Sequence, residues 1–266
     1  MIKMNRNLVV FLKYDDSIEN FYGRDIFRDG NILFAGYGIQ QLIGDDGTKW
    51  DEILYIRYLD IEKYNDGIER LAKEHKIKKY KILLTTPASR LKMFKSRMRM
   101  ELNNLIYTPS KDDEEDIERK DMKKWKKTVS AESPPNSDQM LEFFKRDLNV
   151  RIQMLNLLKF REIALYPKGY KGKQLTGDRA YSIYGKIANR CLKKLKCFLE
   201  LAGSIDSIIA GNEDSDWDFV GFVHYRSKNS LVKYSSSKIF QNVQIHREAG
   251  MERTKVYAIS PYEEFL

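Results

Sequence analysis

Residues suited to proton transfer and anion binding stand near the end of the last third of this chain. His224 and Arg226 alternate with apolar residues, so they share one face of a predicted strand at 218–226. Ionisable side chains on a mostly buried strand face are costly unless they have partners or line a polar cavity. We therefore predict that His224 acts as a general acid or base and that Arg226 holds an anion. The alternative is that both lie near the strand end, solvated or paired with Asp218.

A second pair, His246 and Arg247, lies in a segment near 244–252 that the first half of the chain lacks. Loops present in only one of two similar copies are common places for a site. We predict His246 as a general base or axial ligand, and Arg247 as a clamp for a carboxylate or phosphate. The alternative is that Arg247 and Glu252 are structural partners that anchor the loop.

Four further side chains are predicted to orient a ligand. Tyr181 and Tyr184 lie on one face of a predicted helix, and Asn156 and Lys159 lie on a predicted strand. They would supply the few polar contacts of an otherwise apolar pocket, although aromatic residues at helical spacing also form cores. The chain has only three histidines and no metal-ligand spacing, so we expect no metal site.

The elements that position these residues come from an internal repeat. A glycine lies six residues before a Trp-Asp pair, and a tyrosine follows that tryptophan by eight residues, in two copies offset by 167 residues. The repeated residues are Gly44, Trp50, Asp51 and Tyr58 in the first copy, and Gly211, Trp217, Asp218 and Tyr225 in the second. Because Trp-Asp is kept in both copies, we predict a structural role for it.

Each copy has the periodicity of a β-α-β-β-α-β unit. In the first copy we predict strands at 8–14, 32–43, 51–58 and 80–85, and helices at 16–28 and 60–75. In the second copy we predict strands at 154–160, 205–210, 218–226 and 255–259, and helices at 178–201 and 228–244. The predicted domains are 1–88, an intervening segment 89–148, and 149–266.

The intervening segment and the net charge leave the question of partners open. Residues 89–107 form a basic amphipathic pattern that could bind an acidic partner or membrane surface, or could pack on one of the domains. The net charge of +9 fits a nucleic-acid or acidic protein partner, and equally a lysine-rich soluble surface. There is no apolar run long enough for a signal peptide or membrane span, which predicts a cytoplasmic protein.

Motifs of the second half resemble a family of small bacterial domains of unknown function within the dimeric α+β barrel superfamily, which has ferredoxin-like folds. The matching pieces are residues 156–161, Tyr166-Pro167, Thr176-Gly177, Ala180-Tyr181, Tyr184-Gly185, Gly211, Trp217-Asp218, Tyr225-Arg226-Ser227 and 246–252. The first half resembles a degenerate copy. The resemblance implies an α+β fold in which tandem ferredoxin-like modules pair into one barrel, within one chain or between chains of an oligomer.

The superfamily hosts several chemistries, so the fold does not select a function. Our leading hypothesis is an enzyme of the cofactor-free oxygenase, isomerase or cyclase type, acting on a small, oxygenated or anionic organic molecule in the C-terminal repeat. One alternative is a non-catalytic ligand-binding or protein-interaction module. A further alternative is a haem-binding barrel with His224 or His246 as axial ligand.

Overall fold

The computed structural model describes residues 6–15, 22–44, 48–88, 143–145, 149–211 and 216–263. The strands are β1 (Arg6–Tyr14), β2 (Asn31–Ile43), β3 (Glu52–Tyr58), β4 (Ile77–Pro87), β5 (Ile152–Phe160), β6 (Phe198–Ala210), β7 (Phe219–Tyr225) and β8 (Met251–Pro261). The helices are α1 (Gly23–Ile26), α2 (Ile61–Lys73), α3 (Gly177–Lys194), α4 (Lys228–Ser236) and α5 (Lys238–Gly250).

All eight strands join into one closed antiparallel barrel. Their order around the barrel is β1-β3-β2-β8-β5-β7-β6-β4. Each half of the chain supplies four consecutive strands, and the halves meet where β2 pairs with β8 and β4 pairs with β6. Closure leaves no unpaired sheet edge. The predicted fold class, tandem ferredoxin-like units pairing into a barrel, is confirmed, and the barrel closes within one chain.

The barrel interior is a packed apolar core. Alternate residues of strands from both halves meet there, as in the ring pairs Phe34–Phe222 and Phe11–Tyr257, each 5.3 Å between centroids. Trp50 belongs to this cluster, and so does its counterpart in the second copy, Trp217. Large side chains therefore fill the interior, and the strand residues that line the two cavities described below lie on the outer face of the sheet.

The aspartate that follows each tryptophan makes the same contacts in both halves. Asp51 accepts a hydrogen bond from the Tyr14 backbone N–H at 2.9 Å and forms an ion pair with Lys13 at 3.0 Å. In the second half, Asp218 accepts from a backbone N–H at 2.7 Å and from Lys159 at 3.1 Å. Each aspartate thus ties the start of the third strand of its half to the end of the first.

Three predicted helices have different bounds in the structure. Of the helix predicted at 16–28, residues 22–28 are described and only Gly23–Ile26 are helical. The helix predicted at 178–201 ends at Lys194, because Lys196 adopts a left-handed φ of 56° and the chain then enters β6 at Phe198. The helix predicted at 228–244 is two helices, α4 and α5, which meet at Ser237. The Ser237 side chain accepts a hydrogen bond from the Phe240 N–H, which starts α5.

Other predictions fall wholly or largely outside the described residues. The basic segment 89–107 is among them, and the two boundaries between the three predicted segments stay predictions. Before the second copy, Phe143 and Phe144 pack into the core of the C-terminal half, where Lys228 Nζ donates to the Phe143 carbonyl at 3.0 Å. No helix within the described ranges is long and apolar enough to cross a membrane.

Candidate ligand-binding site

A cavity of about 450 Å³ lies between α3 and the outer face of β5 and β7. Outward-facing residues of both strands form its floor, and residues at helical spacing on α3 form its roof. Two glycines help to open it. A Cβ at Gly185 of α3 would meet no atom within 4 Å, and Gly221 places no side chain on the floor. The volume is typical of sites for small organic molecules.

A smaller cavity of about 110 Å³ adjoins the first. Its walls come from β2 of the first half, from β5 and β8, and from α4 and α5. Five residues line both cavities, and all five have polar side chains: Asn156, Tyr184, Tyr225, Tyr234 and Arg247. We call these five residues the polar belt.

The tyrosines of the belt are neutral hydroxyl groups. Burial raises the pKa of Tyr184, Tyr225 and Tyr234, and it also raises the pKa of Tyr181 in the larger cavity. The hydroxyls of Tyr184 and Tyr234 lie 2.9 Å apart and share a hydrogen bond. Protonated phenols can donate hydrogen bonds, so this part of the site is suited to a ligand oxygen.

Arg247 brings positive charge to the belt from α5. It lines both cavities together with Tyr184 and Tyr225, and its charge opposes the rise in the pKa of Tyr181, Tyr184 and Tyr225. Within the described part of the chain, no carboxylate pairs with Arg247 within 4.0 Å. The adjacent Glu248 accepts a hydrogen bond from Gln244 at 2.6 Å, and the Arg247 charge opposes the rise in the Glu248 pKa that burial causes. The guanidinium fork is therefore available to a bound anion.

Asn156 contributes a hydrogen-bond acceptor, its side-chain amide oxygen, to the polar belt. Its amide nitrogen donates to the carbonyls of Met154 at 3.1 Å and Gly221 at 3.4 Å. Both partners are carbonyl oxygens, so the bonding atom must be the NH2 group. The amide oxygen is left to accept a hydrogen bond from a ligand hydroxyl.

The structure brings together four of the residues expected from sequence: Arg247, Tyr181, Tyr184 and Asn156 all line the larger cavity. Lys159 does not line either cavity. It pairs with Asp216 and Asp218, and hydrogen bonds to these carboxylates raise its pKa. Lys159 therefore belongs to the set of contacts by which Asp218 ties the start of β7 to the end of β5, and we call these contacts the strand anchor.

The two histidines and Arg226 lie elsewhere. His224 is on the barrel-facing side of β7, where its ring stacks on Phe198 with centroids 4.9 Å apart. Arg226 follows the end of β7 and is exposed. His246 and Arg247 are on helix α5 and not in a loop, so successive side chains diverge by about 100°. His246 Nδ1 lies 2.8 Å from the Tyr166 hydroxyl, and burial lowers its pKa.

Tyr225 and Tyr234 line both cavities but are not among the site residues predicted from sequence. Tyr225 lies on the face of β7 opposite to His224. The prediction chose the other face because His224 and Arg226 are its ionisable residues. The sequence signal for this face is Gly221, which shares it with Tyr225. A glycine on a strand face leaves room for a cavity beside that face. Tyr234 carried no such signal, since it lies beyond the strand and reaches the belt only through the packing of α4.

Neither histidine predicted as an axial haem ligand faces one of the two cavities. An axial histidine must face the space that the group occupies, and neither His224 nor His246 lines these cavities. Within the described ranges, no three His, Cys, Asp or Glu side chains cluster closely enough to hold a metal ion.

Comparisons with known proteins give similarities of fold. No family model matches the chain, and no curated protein matches it. A protein of unknown function from Rhodopseudomonas palustris is 26% identical, with 48% of this chain and 95% of the other covered and a TM-score of 0.44. A Lactobacillus acidophilus protein whose name proposes a monooxygenase is 7% identical, covers 96% and 93%, and has a TM-score of 0.45. A mutant chlorite dismutase from Candidatus Nitrospira defluvii is 9% identical, covers 98% and 93%, and has a TM-score of 0.38.

These similarities assign no activity to this chain. The fold itself follows from the strand order and from the helices that cover the outside of the sheet. The chain has the dimeric α+β barrel fold, with both ferredoxin-like units of the barrel in one polypeptide.

Proposed function

We propose that the C-terminal half binds a small, largely apolar organic anion in the cavity under α3. The observation that carries this proposal is Arg247, a guanidinium that forms no ion pair within 4.0 Å among the described residues, at the edge of a cavity with mainly apolar walls. A cation in such a place favours a negative ligand oxygen, because the surroundings screen the charge less than water does.

The polar belt supports a chemical role as well as binding. Arg247 and the neutral phenols are donors that would stabilise charge on a carboxylate or on the oxygen of an enolate. Stabilising an enolate is the electrostatic part of the reactions that isomerases, cyclases and cofactor-free oxygenases perform. Proton transfer by His224 or His246 is not part of the proposal, since neither residue lines the cavity.

Ligand-induced thermal stabilisation tests the proposal. Phenylacetate is a suitable probe, and phenylacetamide is its neutral analogue. We expect phenylacetate to raise the melting temperature of the protein more than the amide does. Replacing Arg247→Met should weaken phenylacetate binding roughly 10- to 150-fold, the equivalent of losing one charged hydrogen-bonding partner.

The matched control is Arg190→Met. Arg190 is exposed on α3 and does not line either cavity, so this variant loses the same charge without changing the site. Its affinity for phenylacetate should match that of the unmodified protein. Equal losses in the two variants would mean that net charge, and not the Arg247 site, attracts the anion. Equal binding of acid and amide would reject an anion site.

A further inference from the structure

We propose that the ligand is branched, with its anionic group at the polar belt, a ring-sized apolar body in the larger cavity and a short alkyl branch in the smaller one. This inference rests on the proposed function and adds the shape of the ligand. It starts from the position of the polar groups. All five residues common to both cavities have polar side chains, so an anion that they hold stands between the two spaces.

The two volumes set the size of each branch. An engineered apolar cavity of about 150 Å³ holds benzene. At about 450 Å³ the larger cavity has room for a ring with substituents, whereas about 110 Å³ is too small for a ring and suits a few aliphatic carbons. The smaller cavity is also mostly apolar, with walls that include Met154, Leu231 and Phe240. Burying an alkyl group there is favourable.

The first half of the chain shapes this smaller cavity. Leu42 and Ile43 of β2 both line it, although adjacent residues of a regular strand point to opposite faces. A register shift between Gln41 and Ile43 in the β2–β8 pairing accounts for this, because a bulge redirects a side chain. The N-terminal half therefore limits the length of the branch that the C-terminal site accepts.

A series of 2-phenylalkanoates reproduces this geometry, since one carbon bears the carboxylate, the phenyl ring and the alkyl branch. Dissociation constants are measured by calorimetry for phenylacetate and for each enantiomer of 2-phenylpropanoate and 2-phenylbutanoate. One enantiomer should bind about fourfold more tightly for each added carbon. The other enantiomer cannot place all three groups, so it should show no such gain.

Variants of the smaller cavity sharpen the test. Ile43→Phe should fill the cavity and remove both the gain and the enantiomer preference, while phenylacetate still binds. Leu42→Ala should extend the gain to 2-phenylhexanoate. Leu199→Ala is the matched control, because Leu199 lines only the larger cavity and its loss should not change the dependence on branch length.

The outcomes separate this inference from the proposed function. If phenylacetate binds and depends on Arg247, but neither enantiomer gains from added carbons, the branched ligand is rejected and the anion site stands. A gain that persists in Ile43→Phe would also reject the smaller cavity as the site of the branch. If neither phenylacetate nor any 2-phenylalkanoate binds, both the anion site and the branched ligand are rejected.

Discussion

Glu52 ties the N-terminal half together from a fully buried position on the outer face of β3. Its carboxylate accepts hydrogen bonds from the Tyr14 hydroxyl at 2.5 Å, the Tyr262 hydroxyl at 2.7 Å and the Gly23 backbone N–H at 3.0 Å. One side chain thus joins β1, β3, the start of α1 and the chain after β8. We predict that Glu52→Ala strongly destabilises the protein.

The size of the effect follows from the three donors. Each buried donor left without an acceptor costs about 1 to 3 kcal/mol, so Glu52→Ala should lower the free energy of unfolding by at least about 3 kcal/mol. For a chain of this size, 1 kcal/mol corresponds to roughly 2 to 4 °C. The melting temperature should therefore fall by at least about 6 °C. Urea denaturation and calorimetry measure the two quantities.

The pH dependence gives an independent check. Burial raises the pKa of Glu52 above its usual value, although hydrogen bonds from Tyr14 and Tyr262 oppose the rise. The folded protein therefore holds this proton to a higher pH than the unfolded chain, whose glutamate pKa is about 4.3. The stability that this group contributes is full below the unfolded pKa and is lost as pH rises through the folded pKa.

Glu52→Gln removes this titration. The difference in unfolding free energy between the unmodified protein and this variant should therefore fall as pH rises from about 4 to 8. Glu69→Gln is the control, because Glu69 is exposed on α2 and pairs only with exposed Lys73 among the described residues. A loss below about 1 kcal/mol in Glu52→Ala, or a difference that grows with pH, would refute this account of the cluster.

Two further predictions concern the strand anchor and the polar belt. Asp218→Ala removes the acceptor of the Phe160 backbone N–H and the ion-pair partner of Lys159. The free energy of unfolding, measured by urea denaturation, should fall by about 1 to 3 kcal/mol. An unchanged free energy of unfolding would show that the repeated aspartate is not an anchor. Because burial raises the pKa of Tyr225 and Tyr234 well above 10, phenylacetate affinity measured by calorimetry should stay constant between about pH 7 and 9. A fall in affinity over that range would mean that a belt phenol ionises.

The fold could be predicted because its signals are local and repeated. The alternation of side chains along 219–226 predicted which residues share each face of β7. The repeated Trp-Asp pair marked the start of the third strand in each half. In the structure Trp217 enters the barrel core and Asp218 holds the end of β5, so the repeat marks shared structure.

The site was predicted only in part, because both faces of a barrel strand are buried. Inward residues meet the opposite strands, and outward residues lie under a helix, so alternation does not tell which face borders a cavity. His224 is tolerated on the inner face near the end of β7, where it stacks on Phe198. Arg247, predicted in a loop, lines the larger cavity from helix α5, because the Ser237 start of that helix is not evident from the sequence.

The closure of the barrel within one chain changes how its assembly depends on protein concentration. The seams β2–β8 and β4–β6 join two halves that are covalently linked, so each half meets the other at a fixed effective concentration. A barrel made from two separate chains must come apart on dilution, by mass action. Here barrel formation is a unimolecular step, and the two halves are free to differ in sequence. One half can specialise as a wall and the other as a ligand site.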